Sequence, residues 1–173
     1  MILNDRQITE LANKGMIEPF LLERLQPFGY DITLSTKFKI FKGKANEVLD
    51  PFNIKPEYFE DIEGDTCVVP AHSFALGVST EYFRIPNNVV GQCLGRSSYA
   101  RIGVIPNVTP LEAGWEGYVT IEIKNGTGMD CKVYANKGIS QVQFHRGQTP
   151  LRNYIAKGGR YNKQEGITLT KGV

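Results

Sequence analysis

The sequence is short of the residues that build metal centres and disulfide-rich scaffolds. It has three cysteines, Cys67, Cys93 and Cys131, and two histidines, His72 and His145, in 173 residues. The cysteines are far apart and odd in number, which is typical of a reduced, cytoplasmic protein rather than of a disulfide-stabilised secreted one. No two of them have the spacing of zinc ligands, so the composition argues against a zinc site and predicts no metal held by side chains.

Long apolar runs and a strong net charge are also absent. No run of about 18 apolar residues occurs and the polar N-terminus lacks the apolar region of a signal peptide, so neither a membrane span nor a secretory signal is expected. The net charge of +2 is too small to predict a nucleic-acid surface. A hydrophobic content of 41% in 173 residues is typical of one globular domain with its own core.

What is present is a short helical pattern followed by many short alternating segments. A helix is predicted over residues 4–15, capped by Asn4 or Asp5, and a short second helix or turn over 18–25. Residues 42–65 are predicted to form a loop. Strands are predicted at 31–34, 38–41, 66–69, 73–79, 82–84, 89–94, 117–124, 131–134 and 140–144. This succession of short strands predicts a mainly β sandwich or barrel, and periodicity alone does not distinguish the two.

The segment Gly95–Arg101 has the residue types that a polyphosphate needs. Arg96 and Arg101 supply planar cationic donors, and Ser97 and Ser98 supply hydroxyls beside a glycine. A short helix is expected over residues 97–102, with backbone N–H groups at its start. The alternative interpretation is a surface turn with two solvated arginines.

A second segment, Gly114–Ile123, has the alternation of apolar and polar side chains that predicts a strand, and it carries one carboxylate in its later half. Glu122 stands between Ile121 and Ile123, so it faces the side opposite to the isoleucines. A carboxylate in that position is a candidate general base. The alternative is a strand carboxylate that points into solvent.

Together with residues 1–8, 29–34, 107–112 and 160–166, these two segments resemble the dCTP deaminase family of the dCTP deaminase and dUTPase superfamily. The resemblance runs nearly end to end. It implies one domain over residues 1–173 with a distorted, dUTPase-like β-barrel or jelly roll, a short N-terminal helix, and a flexible lid over about residues 150–173. It also implies a homotrimer whose sites lie at subunit boundaries.

The resemblance implies a role for individual residues. Glu122 would activate water, with Arg101 and Ser97 beside it as catalytic partners. The segment 107–112 would bind base and sugar, and the C-terminal segment would close over the nucleotide. The substrate-binding residues implied are Arg96, Ser97, Ser98, Arg101, Val108, Thr109, Pro110, Glu112, Tyr154, Arg160 and Gln164.

The activity implied is hydrolytic deamination of dCTP to dUTP and ammonia, in the biosynthesis of dUMP and dTMP. Zinc-dependent deaminases carry a His-x-Glu and Pro-Cys-x-x-Cys signature that this sequence lacks, so the expected mechanism is zinc-independent, with Mg²⁺ bound through the triphosphate. The resemblance also implies dTTP as a feedback inhibitor. Three alternatives remain: a bifunctional deaminase and dUTP diphosphatase that yields dUMP, a dUTPase, and a non-catalytic nucleotide-binding relative.

Overall fold

The computed structural model describes residues 1–43 and 46–172, and it is mainly β. Its helices are α1 (Asp5–Ala12) and α2 (Ser97–Ala100), and single 3-10 turns cover Leu22–Arg24 and Pro56–Tyr58. The strands of the described residues are β1 (Ile17–Glu18), β2 (Leu25–Gln26), β3 (Gly29–Phe41), β4 (Phe59–Glu63), β5 (Thr66–Val69), β6 (Phe74–Arg84), β7 (Val89–Gly95), β8 (Val104–Asn107), β9 (Glu116–Asn125), β10 (Cys131–Tyr134) and β11 (Gly138–Arg146).

The main sheet curves until its two ends meet. Its strands follow the order β7-β11-β3-β6-β9-β8, while β5 and β10 form a separate two-stranded sheet. A Cβ built on Gly95 of β7 would lie 3.0 Å from the Pro106 ring of β8, so the first and last strands are in close contact. The predicted barrel-like β fold with a short N-terminal helix is therefore confirmed.

Helix α1 begins where the sequence predicts but ends earlier. The Asn4 side chain accepts a hydrogen bond from the Gln7 backbone N–H, and the Gln7 side chain accepts one from the Asn4 N–H, both at 3.1 Å. This reciprocal capping box satisfies two free donors of the first turn. Asn4, rather than Asp5, is thus the cap, and the helix ends at Ala12 before the positive φ of Gly15.

Two pairs of predicted short strands are single long strands in the structure. Residues 31–34 and 38–41 both belong to β3, and residues 73–79 and 82–84 both belong to β6. The predicted breaks coincide with irregular pairing between β3 and β6 and between β6 and β9. Polar residues at a bulge interrupt the alternation while the chain stays extended, which explains why periodicity splits each strand.

The break in β6 contains a buried carboxylate. Glu81 is fully buried, forms an ion pair with Arg24, and accepts hydrogen bonds from the backbone N–H and the hydroxyl of Thr33, at 3.0 and 2.8 Å. A buried charge needs such partners, because its desolvation is otherwise costly. Glu81 therefore joins β6 to β3 at the point where the regular pairing of β6 with β9 is interrupted.

Three other parts of the chain differ from the sequence predictions or sharpen them. The predicted loop 42–65 contains the 3-10 turn at Pro56–Tyr58 and strand β4, whose charged residues hide its alternation; Lys44 and Ala45 of that loop lie outside the described residues. Residues 18–25, predicted as a short helix or a turn, form the end of β1, a 3-10 turn and the start of β2, so the turn is the alternative found. Strand β8 was not predicted, because Pro106 is rare inside strands and is tolerated at an edge.

The core fixes the orientation of β9. Ile121 and Ile123 are both fully buried, together with Phe38 and Phe144 from other strands of the barrel. Each such side chain stabilises the fold by about 1.5–3 kcal/mol relative to an exposed one. Because side chains alternate along a strand, burial of the two isoleucines turns Glu122 to the opposite face.

Candidate active site

A cavity of about 410 Å³ lies on this opposite face of β9. It is bordered by the end of β8 and the loop after it, by β9 and β6, and by the C-terminal segment. Its walls are predominantly apolar and aromatic. The lining residues are Ile54, Phe59, Phe74, Leu76, Val108, Thr109, Pro110, Leu111, Trp115, Val119, Thr120, Glu122, Tyr154, Tyr161, Gln164, Thr168, Leu169 and Thr170.

Glu122 is the charged residue among those lining residues. Its Oε2 accepts a hydrogen bond of 3.2 Å from Asn107 Nδ2, and the two residues are paired across β8 and β9. Burial raises the pKa of the Glu122 carboxyl above its usual value, and hydrogen bonds from the backbone and from Asn107 lower it in part. A carboxylate with a raised pKa is a stronger base, and the cavity gives it room for a ligand.

The loop after β8 forms one wall of the cavity. Val108, Thr109 and Pro110 line it, as does the buried Leu111. Leu111 is fixed by two backbone hydrogen bonds with Gly91 of β7, at 2.8 and 2.9 Å. This anchoring holds the end of the loop against the barrel.

Glu112 lies differently from the other predicted residues of that loop. It is absent from the cavity lining of the described residues, and its carboxylate is 4.0 Å from Lys157 Nζ. In this structure Glu112 therefore contacts the C-terminal segment rather than the cavity.

The C-terminal segment runs along the free edge of β9 and covers the cavity. The backbone N–H of Lys163 donates to Glu116 O at 2.7 Å, and that of Tyr118 donates to Gln164 O at 2.9 Å. Trp115 Nε1 donates to Tyr161 O at 2.7 Å. Strand β8 pairs with the later half of β9, and the C-terminal segment pairs with the first half of β9. The cavity therefore opens between β8 and the C-terminal segment.

Two of the three predicted residues of this segment line the cavity. Tyr154 and Gln164 do so, while Arg160 is exposed and its carbonyl accepts a hydrogen bond from Lys171 Nζ at 2.9 Å. The structure thus shows the segment folded over the cavity. Its flexibility remains a prediction.

Arg96, Ser97 and Ser98, predicted to bind the triphosphate, and Arg101, predicted with Ser97 to lie beside Glu122, are all outside the cavity wall of this chain. Ser97 and Ser98 are exposed at the start of α2, and Arg101 Nη1 is 3.5 Å from Ser97 Oγ. The Arg96 guanidinium forms an ion pair with Asp31, with Nη1 3.0 Å from Oδ2. We call residues 96–101 the arginine–serine segment.

Sequence reasoning missed several cavity residues. Thr120 lies two residues before Glu122 on the same face, and the alternation of β9 was a signal that could have found it. Asn107 begins the segment 107–112 that the resemblance singles out, but its hydrogen bond to Glu122 depends on the unpredicted strand β8. The walls formed by Phe59 and Phe74 come from distant parts of the chain, and no local pattern in the sequence indicates them.

Comparison with known proteins gives the family. A family model described as dCTP deaminase-like matches residues 2–147 of this chain. The chain belongs to the dCTP deaminase-like family. The dCTP deaminases of this family are enzymes that hydrolyse a C–N bond, as the resemblance in the sequence implies.

Curated relatives in this family are similar over nearly their full length. A dCTP deaminase of Acidobacterium capsulatum is 47% identical, with 98% of this chain and 98% of the relative covered. A dCTP deaminase of Herpetosiphon aurantiacus is 46% identical, with 96% and 97% covered. The prediction of a dCTP deaminase from the sequence agrees with both relatives.

A solved structure shares the fold of this dCTP deaminase-like chain. The crystal structure of 2′-deoxycytidine 5′-triphosphate deaminase from Agrobacterium tumefaciens matches with a TM-score of 0.69 and 19% identity. The match covers 87% of this chain and 49% of the other, so this chain spans about half the length of that structure. At this level of identity the likeness supports the fold.

The described residues contain neither a cluster of metal-ligating side chains nor a membrane-spanning helix. Among residues 1–43 and 46–172, no group of three or more His, Cys, Asp and Glu side chains is arranged to hold a metal ion. Within the same ranges, every helix is too short or too polar to cross a bilayer.

Proposed function

We propose that this member of the family deaminates dCTP to dUTP and ammonia, supplying dUTP for the formation of dUMP and dTMP. The observation that carries the proposal is the Glu122 carboxylate, half-buried on a cavity wall with its pKa raised by burial. The volume of about 410 Å³ suits a nucleoside, since small-molecule sites are concave and largely apolar with few polar groups.

Glu122 acts as the general base and then the general acid. The carboxylate takes a proton from water as the water oxygen bonds to C4 of the cytosine ring, and it passes this proton to the ring nitrogen N3. Glu122 then takes the proton of the new C4 hydroxyl and gives it to the amino group, so the tetrahedral centre collapses to a carbonyl as the C4–N bond breaks and ammonia leaves. The net reaction consumes one water and requires no oxidant or reductant.

The triphosphate needs cations that the cavity wall does not supply. Among its described lining residues there is no Lys or Arg, whereas the arginine–serine segment carries two arginines. We therefore propose that this segment, with Arg96, Ser97 and Ser98 on the phosphates and Arg101 near Glu122, completes the cavity of a neighbouring subunit. Exposed apolar residues around the segment support such a boundary: Leu94, Ile102 and Ile105. The assembly would be a homotrimer.

The remaining substrate contacts come from the walls. Val108, Thr109 and Pro110 would contact the base and the sugar, and Tyr154 and Gln164 would close over them. Glu112 and Arg160 would reach the nucleotide only after a shift from their present contacts.

Mg²⁺ would be carried by the triphosphate oxygens, and dTTP would compete for the same cavity. The cytoplasmic location and the single domain over residues 1–173 also stay predictions.

The direct test is chromatography of the nucleotides formed from dCTP and Mg²⁺, with a parallel assay for ammonia. We expect equal amounts of dUTP and ammonia. Accumulation of dUMP and pyrophosphate without dUTP would make the enzyme bifunctional, and cleavage of dUTP with no change in dCTP would make it a dUTPase. Binding of dCTP without turnover would contradict the proposed catalysis.

A further inference from the structure

Asp31 is a buried carboxylate outside the cavity that joins several elements of the barrel. It is 6% exposed on β3. Gln26 Nε2 of β2 donates to its Oδ2, and Gln141 Nε2 of β11 donates to its Oδ1, each at 3.3 Å. Its third partner is the Arg96 guanidinium, 3.0 Å away. The carboxylate is thus held in place by neutral donors, while its cationic partner belongs to the arginine–serine segment.

The two partners differ in exposure. The Asp31 side chain is 8% exposed and that of Arg96 is 43% exposed. The carboxylate is therefore the fixed member of the pair, and the guanidinium is the member that solvent and ligands reach. An arginine has five N–H donors in a rigid plane, so one contact to Asp31 leaves further donors for a phosphate.

A glycine on β11 allows this contact. A Cβ built on Gly138 would lie 2.6 Å from Arg96 Nη1 and 3.3 Å from the Asp31 Cβ. Any larger residue at position 138 would push the guanidinium away from the carboxylate. The backbone of Arg96 is fixed at the same place, because its N–H donates to Ile139 O at 3.1 Å.

We propose that Asp31 is a positioning residue that orients the Arg96 guanidinium for the triphosphate of the substrate. This inference rests on the proposed function for the contact between Arg96 and phosphate. Asp31 itself does not touch the ligand. Its contact restricts an otherwise flexible side chain to one orientation before the nucleotide binds, which lowers the ordering cost of binding.

The test measures binding of inorganic tripolyphosphate with Mg²⁺ by calorimetry, so it does not depend on turnover. Asp31→Asn keeps the size of the side chain and removes its charge. Gly138→Ala keeps the carboxylate and displaces the guanidinium. We expect each to weaken tripolyphosphate binding about tenfold, the scale of a lost charge-assisted hydrogen bond. The control is Asp61→Asn, which removes an exposed carboxylate paired with Lys39, and we expect it to bind as the unaltered protein does.

A double-mutant cycle separates positioning from general stabilisation. In an Arg96→Ala background, Asp31→Asn should cause no further loss of affinity, because the group that it orients is gone. Additive losses, or unchanged binding in both single variants, would overturn the proposal. Failure of the proposed function would look different: the unaltered protein would bind tripolyphosphate in an Arg96-dependent manner and leave dCTP intact.

Discussion

The cavity around Glu122 and the arginine–serine segment differ in burial and in charge. The cavity is walled by aromatic and aliphatic side chains, and burial raises the pKa of the Glu122 carboxyl. The segment is exposed, and its charged residues are two arginines. A base that must take a proton from water benefits from partial desolvation, whereas a triphosphate needs strong, accessible donors. The difference fits the proposal that one chain keeps its proton-transfer group and its phosphate-binding groups apart.

The two regions also differ in how they are held. Glu122 is fixed by the core, since its neighbours Ile121 and Ile123 are fully buried. Arg96 is fixed by one ion pair to Asp31 and by the space that Gly138 leaves. We therefore expect substitutions in the cavity to affect the chemical step, and substitutions around the segment to affect binding of the phosphates.

The largest effect is expected from Glu122→Gln. The amide keeps the shape of the side chain and loses the base, so kcat should fall by roughly 10²–10⁴-fold, the usual contribution of general acid–base catalysis, while dCTP binding persists. Steady-state kinetics and calorimetric binding of dCTP measure the two quantities. The matched control is Glu60→Gln on β4, an exposed carboxylate outside the cavity, which should retain full activity. Full activity in Glu122→Gln would refute the proposed mechanism.

A smaller effect is expected from removal of residues 158–173. The deletion takes away Tyr161, Gln164 and Thr168, which form one side of the cavity. We expect KM for dCTP to rise roughly tenfold or more, since closing segments both contact and sequester the substrate.

Trp115→Phe is a milder test of the same closing segment. It removes the indole donor to Tyr161 O and leaves the chain complete, so the rise in KM should be smaller than in the deletion. An unchanged KM in both proteins would show that the segment is not a lid.

The smallest effect is expected from Asn107→Ala, read from the pH profile of kcat/KM. The acidic limb reports the ionisation of Glu122, which must be deprotonated to act as a base. The hydrogen bond from Asn107 favours the charged form, so its loss should raise the pKa of Glu122 further and move this limb to higher pH. Asn88→Ala, at an exposed turn, is the control. A limb that stays in place would mean that Asn107 does not affect the base.

Much of the fold could be predicted because its determinants are local. The strand around Glu122 alternates without interruption, and the caps and turns near α1 use side chains within four residues of one another. The arginine–serine segment was found for the same reason, since its chemistry lies in consecutive residues. These signals need no knowledge of distant contacts.

The rest depends on contacts between distant residues. Strand β8 contains a proline and gains its pairing only from β9, and β4 is recognisable only once it lies against β3. The same holds within the site, because the distance between Asn107 and Glu122 follows from that unpredicted pairing. Glu112 was assigned to the nucleotide by motif, while its contact in the structure is Lys157.

The most direct test of the division between the two regions is complementation in mixed assemblies. Glu122→Gln and Arg101→Ala chains, each expected to be inactive alone, are refolded together in equal amounts, and differently tagged chains confirm that they have mixed. If each site takes Glu122 from one chain and Arg101 from its neighbour, about a quarter of the unaltered activity should return, since an intact site needs the right variant on each side. Mixed assemblies with no activity above that of the separate variants would place both residues in one chain's site and contradict the account.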